Sequence, residues 1–312
     1  MSKRFRAFII ASIAILCIGI IYLFFNEKEI EKEEKKVQVT DSMTFVEGMN
    51  YAMPVTLPDS ASFAGEFVPM NIFYVREQLD RELTVNTYWH SSTLLSLKRS
   101  ARWFPVIEPI LQKNGIPEDF KYLALIESGL ANVVSPAGAA GFWQFLDDTG
   151  RDCGLIVNKE VDERYHVAKA TEAACIYLKK AYQKYNDWTL VAASYNAGMG
   201  KISDAVLKQQ AGNYYNLYLN EETARYIFRI LALKYICENP RKYGFKLQQG
   251  DFYPPLKNKP VIVNSSIPDL VTFAKENKTT YRMIKELNPW LRSDKLTVPA
   301  GGSFEVLLPV ED

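Results

Sequence analysis

The chain is 312 residues long, 48% hydrophobic and 13% aromatic, enough to bury a core in one or two domains. Its 37 lysines and arginines are balanced by 36 aspartates and glutamates, which gives no electrostatic case for nucleic acid as a partner. No metal-type cysteine spacing, phosphate loop or nucleotide fingerprint occurs, so neither a metal nor a cofactor is expected.

Residues 7–25, AFIIASIAILCIGIIYLFF, carry no charge and are about long enough to cross a bilayer as a helix. Lys3, Arg4 and Arg6 precede the run and the slightly acidic NEKEIEKEEKK follows it. The positive flank predicts a cytoplasmic start and an exported remainder. Residues 1–25 are therefore expected to be an uncleaved transmembrane anchor. A cleaved signal peptide would have a shorter apolar region and small residues at a cleavage site. A lipoprotein would use Cys17, but Leu16 precedes it and further apolar residues follow. Residues 26–65, charged and then small and polar with Pro54 and Pro58, read as a linker.

Helical periodicity starts near Glu66. Ile72, Val75 and Leu79 fall on one helical face, as do Leu94, Leu97, Ala101 and Phe104 of the next segment. Pro105 and Pro109 are expected to break or kink that second helix. The stretch FKYLALIESGL follows Pro117-Glu118-Asp119 and closes on Gly129, a helix start and stop. Glu127 then falls in the last turn, facing the carbonyl end, with Leu123 on the same face. Both surroundings raise a carboxyl pKa. Ala170, Ala174, Leu178 and Ala181 mark a long helix opening at Asp162, and another runs from about Glu221 to just before Pro240. Cys153, Cys175 and Cys237 read as buried free thiols, with a Cys153–Cys175 disulfide as the alternative. Beyond Pro254-Pro255 the pattern becomes strand, helix, helix, strand: Val261-Ile262-Val263, about 267–276, about 280–287, and 303–308. The expected fold is mainly α, with a small C-terminal α+β module.

Four segments invite chemistry: Glu127-Ser128, SPAGAAGFWQF (135–145), ASYNAG (193–198) and ETARYI (222–227) with Tyr226. Singly, each has an ordinary reading. A glutamate at a helix end is commonly a solvated surface group, and small-residue loops commonly mean tight packing. In this order and spacing they resemble the lytic transglycosylases of the soluble-transglycosylase type, over about residues 100–240. Glu127-Ser128 matches that family's Glu-Ser pair. Gly141-Phe142-Trp143-Gln144, followed by Thr149, matches its Gly-Leu-hydrophobic-Gln segment. Ser194-Tyr195-Asn196-Ala197-Gly198 matches its Ala-Tyr-Asn-Ala-Gly segment, and Tyr226 its final tyrosine. Ser194, Phe142 and Asp147 depart from the usual alanine, leucine and proline.

The resemblance implies a lysozyme-like helical domain, over 66–255 with an N-terminal helical extension, acting on peptidoglycan glycan strands in the bacterial envelope, on the periplasmic side of the membrane. It implies cleavage between N-acetylmuramic acid and N-acetylglucosamine, with the muramic acid's own C6 hydroxyl closing a 1,6-anhydro ring. Most glycosidases need two carboxylates. Here the nucleophile belongs to the substrate, so Glu127 alone serves as acid and then as base. By the same resemblance Ser135 and Gln144 bind the flanking sugars. Tyr195 and Asn196 hold the N-acetyl group and support the oxocarbenium-like transition state, Tyr226 orients Glu127, and Ser128 supports the site at the helix end. Phe142 and Trp143 either stack on a sugar or fill core. Two alternatives stand beside this reading. A goose-type lysozyme-like hydrolase would activate water with Asp147 or Asp148, and an inactive protein would serve as a peptidoglycan-binding scaffold. Residues 256–312 faintly resemble the LysM module through Leu287-Asn288, although Asn264-Ser265-Ser266 stands where that module has Gly-Asp-Thr. The alternative for this segment is a structural extension packed on the catalytic domain.

Overall fold

The structure, a computed structural model, describes residues 53–310. The expected anchor and most of the expected linker lie outside the described residues. Among those described, no helix is long and apolar enough to cross a membrane.

The first element is a hairpin, β1 (Ala61–Phe63) and β2 (Glu66–Val68), paired antiparallel with Ala61 opposite Val68. Its turn residues Ala64 and Gly65 both have positive φ, 54° and 82°, the geometry that suits a two-residue hairpin. Asp119 makes the alanine tolerable there: its Oδ2 accepts from the Ala64 amide at 2.7 Å and from Lys234 Nζ at 2.7 Å. Phe63 is fully buried against Phe120, with ring centroids 5.2 Å apart. The end of the expected linker is thus corrected: residues 61–65 belong to the core, because Ala61 and Phe63 supply two of its side chains.

Helices α1 (Phe73–Tyr88) and α2 (His90–Lys113) meet at Trp89. The expected break at Pro105 and Pro109 does not occur; both lie inside α2. They fall one turn apart on its exposed face, where water can satisfy the carbonyls left without a donor. A 3-10 turn on Pro117 leads into α3 (Lys121–Ser128), which ends at Gly129 with φ 60°. Next come α4 (Asp147–Asp152) and a 3-10 turn capped by Asp162. Then follow α5 (Val167–Tyr185), α6 (Trp188–Ala197) and α7 (Met199–Gln209). The helix expected from Glu221 is interrupted at Arg225, giving α8 (Glu221–Ala224) and α9 (Tyr226–Glu238). Helix α9 buries Ile227, Phe228, Ile230, Leu231, Leu233 and Ile236, which cover its whole circumference, so it is the central helix of the domain.

The remainder has the expected order. β3 (Asn258–Val263) pairs antiparallel with β4 (Phe304–Pro309), and α10 (Leu270–Glu276) and α11 (Tyr281–Leu287) lie between them in sequence. Fully buried Asn288 closes the module. Its Nδ2 donates to the Leu307 carbonyl at 2.7 Å and its Oδ1 accepts from the Leu307 amide at 2.8 Å. The module's core, built on Leu270, Ile284, Trp290, Leu291 and Val306, also takes in Ala140, Val161 and Tyr165 of the helical domain. Cys153, Cys175 and Cys237 are free, so the alternative disulfide does not form; burial pushes the Cys175 and Cys237 thiols up to about 12.

Candidate active site

The C-terminal turn of α3 carries Glu127, and the start of α9 places Tyr226 against it. Tyr226 is fully buried and its hydroxyl donates to Glu127 Oε1. That leaves Oε2 to hold a proton. Burial raises the Glu127 pKa above the usual carboxylate range, and the charge of Glu222 adds to the rise; the Tyr226 hydrogen bond and the Arg229 charge act in the opposite direction. Tyr226 itself is raised well above the ordinary phenol value, first by burial and then by Glu127, so it remains a neutral donor.

Glu127 borders two clefts. The first, about 340 Å³, brings it together with Ser135, Gln144, Tyr195, Asn196 and Glu222. The second, about 760 Å³, shares Glu127 and Glu222 with the first and reaches Trp89 at the start of α2 and Arg99 within it. The acid is thus common to both clefts.

The loop wall is shaped by backbone bonds within the 131–146 segment. Ser135 Oγ accepts from the Ala139 amide at 3.1 Å, which leaves its own proton to donate. Gln144 has φ 49°, and its Nε2 donates to the carbonyls of Gly141 at 2.8 Å and Val133 at 3.1 Å. The amide nitrogen is thus spent inside the loop, and Oε1 is the atom left to accept from a ligand. Gly141 is required by contact: at its φ of 78°, a Cβ would come within 1.9 Å of the Arg164 carbonyl oxygen. Arg164 in turn donates to the carbonyls of Gly138 at 3.1 Å and Phe145 at 3.2 Å, and Asp162 pairs with it at 2.6 Å.

The helical wall is tied by side chains. Tyr195 donates to the Trp143 carbonyl at 2.7 Å. Asn196 Nδ2 donates to Glu222 at 2.9 Å while its Oδ1 accepts from Thr223 Oγ1 at 2.7 Å. One N–H of Asn196 remains for a ligand.

The remaining sequence candidates fall as follows. Ser128 borders the larger cleft, and its hydroxyl lies within hydrogen-bond reach of the carbonyls of Ala124 (3.1 Å) and Phe142 (3.0 Å), bolting α3 to the loop. Phe142 and Trp143 are core. Phe142 meets Trp103 edge-on at 5.1 Å, and fully buried Trp143 donates to Thr171 at 2.9 Å. Asp147 pairs with Arg164 and Arg151, exposed Asp148 pairs with Arg151, and neither lines the groove at Glu127. Glu222 borders both clefts; in sequence it opens the ETARYI segment, four residues before Tyr226, with no role attached to it. Arg99 and Arg229 line the larger cleft and carried no local signal at all. Among the described residues no three His, Cys, Asp or Glu side chains are grouped to hold a metal ion.

Residues 105–218 match the family model of the transglycosylase SLT domain, and residues 259–312 match that of the soluble lytic transglycosylase C-terminal LysM-like domain. The chain is 31% identical over 202 residues to membrane-bound lytic murein transglycosylase D of Escherichia coli strain K12, and equally to the protein of that name from E. coli O6:H1 strain CFT073. The match takes in 62% of this chain and 44% of each relative, so the chain spans under half the length of those relatives.

Proposed function

We propose that the chain is a peptidoglycan lytic transglycosylase with a lysozyme-like catalytic domain, and that Glu127 is its acid and base. The observation that carries this reading is one carboxyl group, oriented by Tyr226, lining two clefts and kept above the usual pKa range by burial. Glu127 gives its proton to the glycosidic oxygen as the bond from the muramic C1 breaks. The C6 hydroxyl then adds to C1 and returns its proton to Glu127. No water enters, and the enzyme ends as it began. Gln144 Oε1, the Ser135 hydroxyl and the remaining Asn196 N–H are the groups available to the flanking sugars. Tyr195 acts from beneath, through the Trp143 carbonyl.

The domain division we propose is a catalytic domain over about 66–255, extended back to the hairpin at Ala61, and a LysM-like module over 256–312. The apolar run 7–25 serves as a membrane anchor that holds the catalytic domain on the periplasmic side of a bacterial envelope, a location in keeping with the membrane-bound relatives.

A hydrolytic reading needs a second carboxylate to activate water. Asp147 and Asp148 line neither cleft at Glu127, which leaves Glu222 as the group it would have to use. Mass analysis of the products from purified glycan strands decides between the two. Anhydromuramyl products support transglycosylation, and products heavier by one water establish hydrolysis. A zymogram of Glu127→Gln beside wild type tests the acid, with a loss of about a thousandfold expected; clearing by the variant at the wild-type rate ends this reading.

A further inference from the structure

The larger cleft holds two arginines that nothing in the mechanism uses. Arg99 Nη1 donates to the Gly129 carbonyl at 3.1 Å, and Arg229 Nη2 to the Ile126 carbonyl at 3.1 Å. The two carbonyls flank Glu127 at the end of α3. Among the described residues neither arginine has a carboxylate within ion-pairing distance. The neighbouring cations differ: Arg225 is paired with Glu82 and Glu221, and Arg81 with the same two glutamates. Capping the carbonyl end of a helix accounts for one N–H of each guanidinium. A guanidinium carries five, so each arginine lines the cleft with donors beyond the one spent on the helix end.

Capping also leaves a cost unexplained. An acid that must start protonated is poorly served by a neighbouring cation, and Arg229 does act to lower the Glu127 pKa. An anion arriving with the substrate removes that opposition, and it finds a pair of planar donors suited to a carboxylate.

We infer that Arg99 and Arg229 form a carboxylate-binding site for the peptide arm of the muramyl unit that is cut at Glu127. This rests on the proposed function above. A muramyl strand carries its carboxylates on the peptide linked through the lactyl group at O3, or on the lactyl group itself once the peptide is gone. The muramyl unit being cut lies at Glu127, so its O3 substituent is the anionic part nearest these arginines. Arg99 belongs to α2 and lies ahead of the matched SLT residues, so the helical extension contributes this specificity from outside the matched domain.

The test uses the full chain, with glycan strands bearing tetrapeptides and the same strands stripped by an amidase, which leaves the lactyl carboxylate. The readout is the ratio of kcat/KM on the two substrates. Arg99→Gln and Arg229→Gln lower the preference for peptide-bearing strands on the order of tenfold, the worth of a hydrogen bond to a charged group, and Arg99→Lys retains part of it. An unchanged ratio in both glutamine variants overturns the inference. So do equal losses on both substrates: with lowered thermal stability they assign the arginines to helix capping alone, and without it to a part of the glycan that both substrates share. If the wild type releases no anhydromuramyl product from either substrate, the failure belongs to the proposed reaction and not to this site.

Discussion

The two walls that meet at Glu127 are built by different means. The helical wall, α3 against α9, is core that reaches the surface: Tyr226 is fully buried, and Leu123, Ile227 and Leu231 pack behind it. The loop wall, 131–146, sends Phe142, Trp143 and Phe145 into the core, but its path between them is set by polar clamps and by a neighbouring module. Arg164 grips Gly138 and Phe145, while Ala140 is buried in the core of the LysM-like module. The segment between them is stitched to that module: the Asp162 amide donates to the Trp290 carbonyl at 2.9 Å and the Arg292 amide to the Glu160 carbonyl at 2.7 Å. The Arg292 guanidinium lies over the Tyr165 ring at 4.3 Å. Core packing tolerates local change by small shifts, whereas a clamped loop fails when one clamp opens. Damage on the loop side should therefore spread further from the point of change.

Arg164→Ala is the largest test of that difference. It leaves Asp162 buried without its partner and frees two loop carbonyls. Breaking a buried pair costs about 3–5 kcal/mol. Thermal unfolding should fall accordingly, and the activity remaining at a permissive temperature should show a lowered kcat as Gln144 loses its setting. Unaltered kcat in a destabilised Arg164→Ala protein would show that the loop holds itself. Leu291→Ala comes next, and it acts at a distance. Leu291 is fully buried in the shared core and bridges to Val161. Removing its side chain costs about 2–5 kcal/mol. If the module supports the loop, cleavage of soluble strands slows as well; if the module serves binding alone, only sedimentation with sacculi changes.

The same contrast explains what could be read in the sequence. The helix around Glu127 was legible because its stop and start are local, in Pro117 and Gly129, and its buried face repeats at helical spacing. The module was legible because two strands and two helices each fill a window long enough to show a period. The hairpin was not, since strands of three residues show no alternation and Ala64 is an unusual residue for a positive φ. Its stability comes from Asp119 and Lys234, 55 and more residues away. Arg164, Arg99 and Arg229 were hidden for the same reason: each acts on a carbonyl contributed by a different segment. The core roles of Phe142 and Trp143 are not legible in sequence because an aromatic pair next to a glycine loop reads equally well as wall or as filling.

Gly141→Ala sharpens the comparison at one atom. The positive φ costs about 1–2 kcal/mol for an alanine, and the overlap with the Arg164 carbonyl adds about 1–3 kcal/mol of overpacking. The matching change on the helical side, Leu123→Val, should cost less and leave kcat nearly as it was. Equal kcat losses from the two would remove the distinction drawn here.

The smallest expected effect, Tyr226→Phe, reports on the acid itself. The phenol hydrogen bond favours the ionised carboxylate, so it lowers a pKa that burial raises. Without it the Glu127 pKa rises further. Catalysis begins with the protonated acid, so activity falls as pH climbs through that pKa, and the variant's falling limb should move to higher pH. The rate at the optimum should drop about fivefold, from the loss of one hydrogen bond of about 1 kcal/mol that orients the carboxyl. The pH profile of kcat/KM measures this in the free enzyme. A limb that stays in place would mean that it belongs to another group, with Glu222 the first to examine. A limb that moves down would mean that Tyr226 stabilises the proton on Glu127 rather than the charge, and the helical wall would then hold its acid by the hydrogen bond as much as by burial.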